Sequence, residues 1–278
     1  MSTDLTLVDL ALPEETTSDL SHDHAQLVAA TLDARSPGAG DPLPLLWHWA
    51  YFNPTTPTAQ LGVDGHPERS GEMLQRFPRR MWVGGDVRQL TPLRCGSIAT
   101  RRTTLLSHDV KNGSTGDLLL VSLEHTIEQA GKVALVERQN VIYREAGSVT
   151  PAPGAPVDLG PETTDPLMWS ETVVPNAALL FRFSAVTYNT HRIHFDHPYA
   201  TEVEGYPDLV VHGPLTAMLL AASAARHIGR PLVSFTFRAS SPLFAAQPLL
   251  IAGTIHEDSV AVTALRQDGT TAMSATAT

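Results

Sequence analysis

The chain has little cysteine: Cys95 is the single thiol among 278 residues. One thiol excludes an intramolecular disulfide framework and fits a reducing compartment. Long apolar runs are missing too; no stretch approaches the ~18 consecutive apolar residues that a membrane-spanning helix requires. The start, MSTDLTLVDLALPEETTSDLSHDH, has no basic segment followed by an apolar run, so no secretory signal is expected. Basic residues are outnumbered, 19 Lys and Arg against 29 Asp and Glu, for a net charge of −10. Such a chain repels nucleic-acid phosphates, and no basic stripe overrides the balance. A polyanionic small ligand stays compatible, because a few local arginines can bind phosphates on an acidic protein; otherwise the charge confers solubility. The expectation is a soluble, cytoplasmic protein with neither nucleic-acid nor membrane partners. Nucleotide loops are absent as well: GVDGH (62–66) and VGGDV (83–87) have neither the GxGxxG nor the GxxxxGK spacing.

The length allows one large domain or two of about 130 residues each. Residues 1–41 read as a leader segment. HAQLVAATLDA (24–34) has helical spacing, which SPGAGDP (36–42) breaks. PLPLLWHWAYF (42–52) is apolar and aromatic and suits a short buried helix or an extended segment. The polar stretch NPTTPTAQLGVDGHPERSGE (53–72) is too long for an ordinary connection and reads as a lid or insertion. Residues 81–145 read as β structure: TRRTTLLSHDV (100–110), a turn at NGSTGD (112–117), VSLEHTI (121–127), a turn at EQAGK (128–132), then VALVERQNVIYRE (133–145). Val121, Leu123 and Ile127 alternate with polar residues, so this is an antiparallel meander. Residues 146–168 carry Pro151, Pro153, Pro156, Pro161 and Pro166 and read as an extended linker.

In the second half, LLFRFSAVTYNT (179–190) suggests a strand. GPLTAMLLAASAARHI (213–228) is a strong helix, opened by Gly213 and Pro214, and apolar nearly all round, so a sheet should lie close on it. Strands follow at VSFTF (233–237), at Leu249, Ile251, Gly253 and Ile255, at Val260, Val262 and Ala264, and at 270–276. A buried helix followed by antiparallel strands is the outline of a hotdog. The expected class is therefore α+β, a double hotdog with an antiparallel sheet wrapped around buried helices. The expected divisions are a leader (1–41), an N-terminal hotdog (42–146), a proline-rich linker (147–172) and a catalytic C-terminal hotdog (173–278).

The densest cluster of reactive side chains is YNTHRIHFDHPYA (188–200), with Asn189, His191, Arg192, His194, Asp196 and His197. His191, His194, Asp196 and His197 have the residue types of a metal site, but no HExxH pattern is present. A structural, hydrogen-bonded role is the commoner outcome for a single histidine. A general acid or base is the third reading, since an imidazole near pH 6.5 suits proton transfer. The cluster alone leaves the three open.

The segment resembles the hydratase motif of the MaoC-like, (R)-specific enoyl-CoA hydratases, of general form G-D-x-N-P-L-H. The chain as a whole resembles the hydroxyacyl-thioester dehydratase type 2 group, which includes mesaconyl-C4-CoA and itaconyl-CoA hydratases. DPLPLLWHWAYF (41–52), PRRMWVGGDV (78–87), FSAVTYNTHRIHFD (183–196) and LVVHGPL (209–215) carry the resemblance, which covers residues 40–270. It implies that His194 is the catalytic histidine. Asn189 falls where the motif has its aspartate, His191 where it has its asparagine, and Arg192 replaces its proline. Asparagine takes no proton, though its amide can hold water or substrate. Asp196 is then a candidate to orient His194 from two residues away.

The implied reaction is reversible hydration of an enoyl-CoA thioester, a C5 branched dicarboxylic one in the leading reading. A dehydratase for fatty-acid or polyketide-type 3-hydroxyacyl thioesters is the second. A non-catalytic acyl-CoA binding protein, suggested by Asn189, and a thioesterase are alternatives. Gly213, at the start of the buried helix, is the candidate oxyanion donor, and His212 beside it is read as structural. No redox cofactor or metal is implied, and CoA arrives with the substrate. Arg79, Arg80, Arg101, Arg102, Arg192 and Arg238 are available for phosphates or a carboxylate. Trp47, Trp49, Tyr51 and Phe52 suit either core packing or an acyl pocket. Paired hotdog units in one chain make a monomer viable, and a homodimer is the alternative.

Overall fold

Alternating apolar and polar residues build the two halves of one sheet in the computed structural model, which describes residues 12, 14–68, 76–113, 116–145, 154–156 and 167–278. In the first half, β2 (Arg79–Gln89), β3 (Ile98–Gly113), β4 (Gly116–Gln129) and β5 (Lys132–Arg144) are antiparallel, and β1 (Glu14–Asp19) lies on the outer edge of β3. In the second, β7 (Ser234–Ala239), β8 (Leu249–His256), β9 (Ser259–Arg266) and β10 (Thr271–Ala277) are antiparallel, and β6 (Met168–Val173) lies on the outer edge of β8. The full order is β1-β3-β4-β5-β2-β7-β10-β9-β8-β6. Each half thus runs from its first strand to its third, fourth, fifth and second, and the two meet as mirror-ordered repeats at β2 and β7, where Gly84–Arg88 pairs with Ser234–Arg238.

Among the described residues, the α-helices α1 (His22–Thr31), α2 (Ala177–Val186) and α3 (Gly213–Ile228) accompany the sheet. The sheet β7–β10 wraps α3, which buries Leu215, Ala217, Met218, Leu220, Ala221 and Ala224. Its small residues let the strands approach, and each fully buried leucine contributes ~2–3 kcal/mol. Gly229, with φ +71°, ends it in the left-handed conformation. The N-terminal half has the same strand order, and among the described residues its core is filled from a 3-10 turn at Trp47–Ala50 with Leu43 and Leu46. One continuous core links the two halves. This is the double hotdog expected from the sequence. No helix among the described residues is long and apolar enough to cross a membrane.

Several local expectations need correction. Residues 179–190 are not a strand; Ala177–Val186 is helical. Asn176 caps it, accepting from the Leu179 N–H at 2.9 Å, and Leu180, Phe183 and Ser184 are buried at helical spacing. The supposed leader contributes β1 and α1. The polar β1 sequence, EETTSD, shows no apolar alternation because an edge strand joins through its backbone. Most of the proline-rich stretch lies outside the described residues, but its end, Met168–Val173, is strand β6. Trp169 anchors that strand: its indole lies over Gly253 and donates to Ser223 Oγ at 2.9 Å. Part of the insertion at 53–72 also lies outside, and Thr58–Gln60 is a short 3-10 turn.

Candidate active site

The reactive cluster follows α2 directly. Tyr188, with φ +50°, turns the chain, and the Asn189 N–H donates to the Ser184 carbonyl at 2.8 Å. Asn189 Oδ1 accepts from the His191 N–H at 3.0 Å, so this carboxamide shapes the turn. Arg192–His194 then forms a single 3-10 turn, and Val210 N–H donates to the Ile193 carbonyl at 2.9 Å, bringing the approach to α3 alongside.

His194 is buried, with Nδ1 2.7 Å from the Val210 carbonyl oxygen. A carbonyl only accepts, so Nδ1 carries the proton and Nε2 keeps its lone pair. Burial, then the charge of nearby His191, pulls the His194 pKa down to about 3. At neutral pH this imidazole is an uncharged base. His212, the residue before α3, is fully buried and stacks on it with centroids 3.7 Å apart. His212 Nε2 meets Ser184 Oγ at 2.9 Å, whereas its Nδ1 has no partner among the described residues. Burial holds its pKa well below 6.5, and His194 adds to that.

Gly213 opens α3, where first-turn N–H groups and the helix dipole favour negative charge. A Cβ here would lie 2.8 Å from Trp82 Cε3, so glycine is required by the indole packed on the helix start. Trp82 comes from β2 of the other half. It packs on Phe237 at 4.4 Å and edge-on to Trp49 at 5.3 Å. Trp49 Nε1 donates to Glu137 at 2.8 Å, and His48 Nε2 donates to the same carboxylate at 2.9 Å. Burial would raise the Glu137 pKa, but the hydrogen bond and charge of His48 outweigh it and hold it at about 2. The aromatic wall therefore runs from Gly213 into the N-terminal half, while Trp47, Tyr51 and Phe52 are buried core.

Asp196 does not reach His194. It pairs with Arg192, accepting from Nε at 2.9 Å and Nη2 at 2.7 Å, and Tyr199 lies under the guanidinium at 4.1 Å. The segment is a 3-10 turn, so a strand offset does not apply. His197 is half exposed beside Asp208. Arg79 pairs with Glu204 at 2.7 Å, Arg101 is half-buried near Glu14, Arg102 is exposed, and Arg238 lines the outer face of the sheet. Arg80 is exposed, and its charge acts on His191.

His191 sits edge-on to His194 with centroids 5.3 Å apart. On its other side is a residue pair that sequence reasoning missed: His66, 4.2 Å away, whose Nδ1 meets Asp64 Oδ2 at 3.0 Å. Burial, followed by repulsion from His66, lowers the His191 pKa to about 3. Asp64, His66 and His191 are the described group that could hold a metal ion, their ligand atoms lying within 4.8 Å of one another. This differs from the set the sequence raised. The signal was the overlong polar stretch carrying Asp64-Gly65-His66, and nothing in its spacing pointed to residue 191.

The pattern of the Hydroxyacyl-thioester dehydratase type 2 family matches residues 46–245. The chain belongs to this family. Within it, the chain is 44% identical over 266 residues to a mesaconyl-C(4)-CoA hydratase of Chloroflexus aurantiacus, covering 95% of this chain and 94% of the relative. A mitochondrial hydroxyacyl-thioester dehydratase type 2 of Schizosaccharomyces pombe is 26% identical over 259 residues, covering 82% of each. In fold, the chain matches a Mycobacterium tuberculosis protein described as a double hotdog, with a TM-score of 0.60 at 14% identity over 98% of this chain and 97% of that one. As a member of this dehydratase family, the protein is a hydro-lyase acting on acyl thioesters.

Proposed function

We propose that the protein adds water reversibly to a C5 branched dicarboxylic enoyl-CoA, mesaconyl-C4-CoA in the leading case, with His194 as the base. The observation that carries the assignment is the His194 Nδ1–Val210 hydrogen bond, which fixes the tautomer and leaves Nε2 as the basic atom of a ring that burial keeps neutral. In the hydration direction Nε2 takes a proton from water as the oxygen bonds to Cβ. The alkene electrons move towards the thioester carbonyl, and the Gly213 N–H stabilises the enolate oxygen. That donor is worth ~3 kcal/mol in the transition state. The proton then passes to Cα, and the base is restored. Asn189, whose Oδ1 is held by the His191 N–H, offers its amide N–H2 to the water or substrate.

The C. aurantiacus relative supports the dicarboxylic acyl group. The exposed Arg80, whose charge reaches His191, supplies the cation for the substrate's carboxylate or phosphate. CoA enters as part of the substrate, and the reaction as written uses no redox cofactor or metal. The β2–β7 pairing unites two units in one chain, so a monomer suffices. The second reading, a dehydratase for longer 3-hydroxyacyl thioesters, is favoured by the S. pombe relative. Loss of the enoyl-thioester absorbance with mesaconyl-C4-CoA, itaconyl-CoA and crotonyl-CoA tests both. Turnover of a dicarboxylic ester is expected; turnover of crotonyl-CoA alone would move the assignment to the second reading.

A further inference from the structure

The loop 62–66 is docked on the reactive cluster from the N-terminal half. Its backbone is folded on itself by Gly62 N–H to the His66 carbonyl, 2.7 Å, and Gly65 N–H to the Gly62 carbonyl, 2.9 Å. Arg192 grips it twice, through its backbone N–H to the Asp64 carbonyl and through Nη1 to the Val63 carbonyl, both 2.9 Å. Thr190 Oγ1 donates to the Gly65 carbonyl. Gly65 has φ +88°, and a Cβ there would lie 1.8 Å from the Thr190 carbonyl oxygen. The contact is thus built for a bare backbone.

This docking completes a row of four imidazoles. His66 packs on His191 at 4.2 Å, His191 on His194 at 5.3 Å, and His194 on His212 at 3.7 Å. Asp64 closes one end, accepting from His66 Nδ1–H and from the His66 backbone N–H. Ser184 closes the other. A loop that served only as cover would not need to bring a carboxylate–histidine pair to the ring beside the base. Asn189 supplies no carboxylate to this centre; Asp64 does.

We propose that Asp64 and His66 are positioning residues of the hydration centre: the pair pins His191, and through it His194, from the other half of the chain. This rests on the hydration reading above. The groups facing His66 and His191 are Asp64 of the same loop, Arg80 of β2, His194 and Arg192 of the 3-10 turn, and His212 before α3. Among them His66 acts to keep His191 and His194 unprotonated.

The test compares wild type with His66→Gln, Asp64→Asn and Gly65→Ala in mesaconyl-C4-CoA turnover across pH, with His194→Ala as reference and thermal unfolding alongside. The expected result for His66→Gln is a fall in kcat, on the order of 10²-fold as for a small misplacement of reacting groups, with KM little changed. The acid limb of kcat/KM should move to higher pH, because protonation of His194 is no longer opposed by His66. Gly65→Ala, which undocks the loop while keeping the pair, should lose kcat similarly. Wild-type kcat and pH profile in all three loop variants would overturn the proposal, as would an activity loss explained by a lowered unfolding midpoint. Activity abolished by a chelator and restored by Zn²⁺ would overturn it in favour of a metal centre at Asp64, His66 and His191. Failure of the wild type to turn over any enoyl-CoA would instead overturn the hydration reading, and this proposal with it.

Discussion

The imidazoles of His194 and His212 lie stacked, centroids 3.7 Å apart and planes 22° from parallel, at the N-terminus of the buried helix. Two cations at that separation repel strongly in a dry interior, and the helix dipole adds to the cost. The pair is therefore stable as two neutral rings, each tied down by a different neighbour: Val210 for His194 and Ser184 for His212. The arrangement yields an imidazole at His194 that is uncharged at neutral pH and rigid on its backbone side.

This has a consequence for stability. A histidine whose folded pKa is lowered binds its proton more weakly folded than unfolded, so stability is complete above the unfolded value and falls as pH drops below it. For His191 and His194 the window runs from 6.5 down to about 3. Thermal unfolding should show a midpoint that falls steadily below pH 6.5, and His194→Gln should flatten that slope. An unchanged midpoint between pH 7 and pH 5 would contradict the neutral-ring account.

Glu137 acts at lower pH. Its folded pKa of about 2 lies below its ordinary 4.5, so its stabilisation is present above 4.5 and is lost as pH falls towards 2. Glu137→Gln should be less stable than wild type at pH 7, with the gap closing as pH falls through that window in chemical denaturation. A gap independent of pH would show that the carboxylate charge is not what matters.

Gly213→Ala places a methyl against Trp82, which must shift. Overpacking of this kind costs ~1–3 kcal/mol. The helix start also moves relative to His194, so under the proposed mechanism kcat/KM should fall at least tenfold while the fold, by circular dichroism, persists. Trp82→Ala in the same chain should restore part of the stability, read as a rise in unfolding midpoint.

Gly253 and Trp169 give a control remote from the histidines. A Cβ at Gly253 would lie 2.1 Å from the Trp169 ring, so Gly253→Ala should lower the unfolding midpoint by several degrees, as ~1–3 kcal/mol of overpacking would. Turnover per folded molecule should stay near that of the wild type.

Much of this was legible in the sequence where a single element carries its own periodicity. The alternation at Val260 and Val262, the small apolar helix 213–228 and the meander through Val121 and Leu123 appear where periodicity places them. The strand read at 179–190 failed because LLFRF is apolar on either period, and the Asn176 cap decides it only once the helix exists. β1 was invisible because an edge strand needs no apolar face. At the site, the resemblance singled out His194 and Asn189, and the start of the buried helix singled out Gly213; Asn189 lies in the turn after α2, His194 in the 3-10 turn beyond it and Gly213 at the first residue of α3. Ser184, Trp82, Asp64 and His66 were not foreseeable, since each arrives through tertiary contacts and three of the four, Trp82, Asp64 and His66, come from the N-terminal half of the chain.

The most direct test is steady-state turnover of mesaconyl-C4-CoA by the wild type and by His194→Ala. Removing a general base typically costs 10²–10⁴-fold. The account predicts that the wild type consumes the enoyl thioester and that the variant, folded and still binding the ester, loses at least 10²-fold in kcat. A variant with wild-type kcat would contradict the central role of His194.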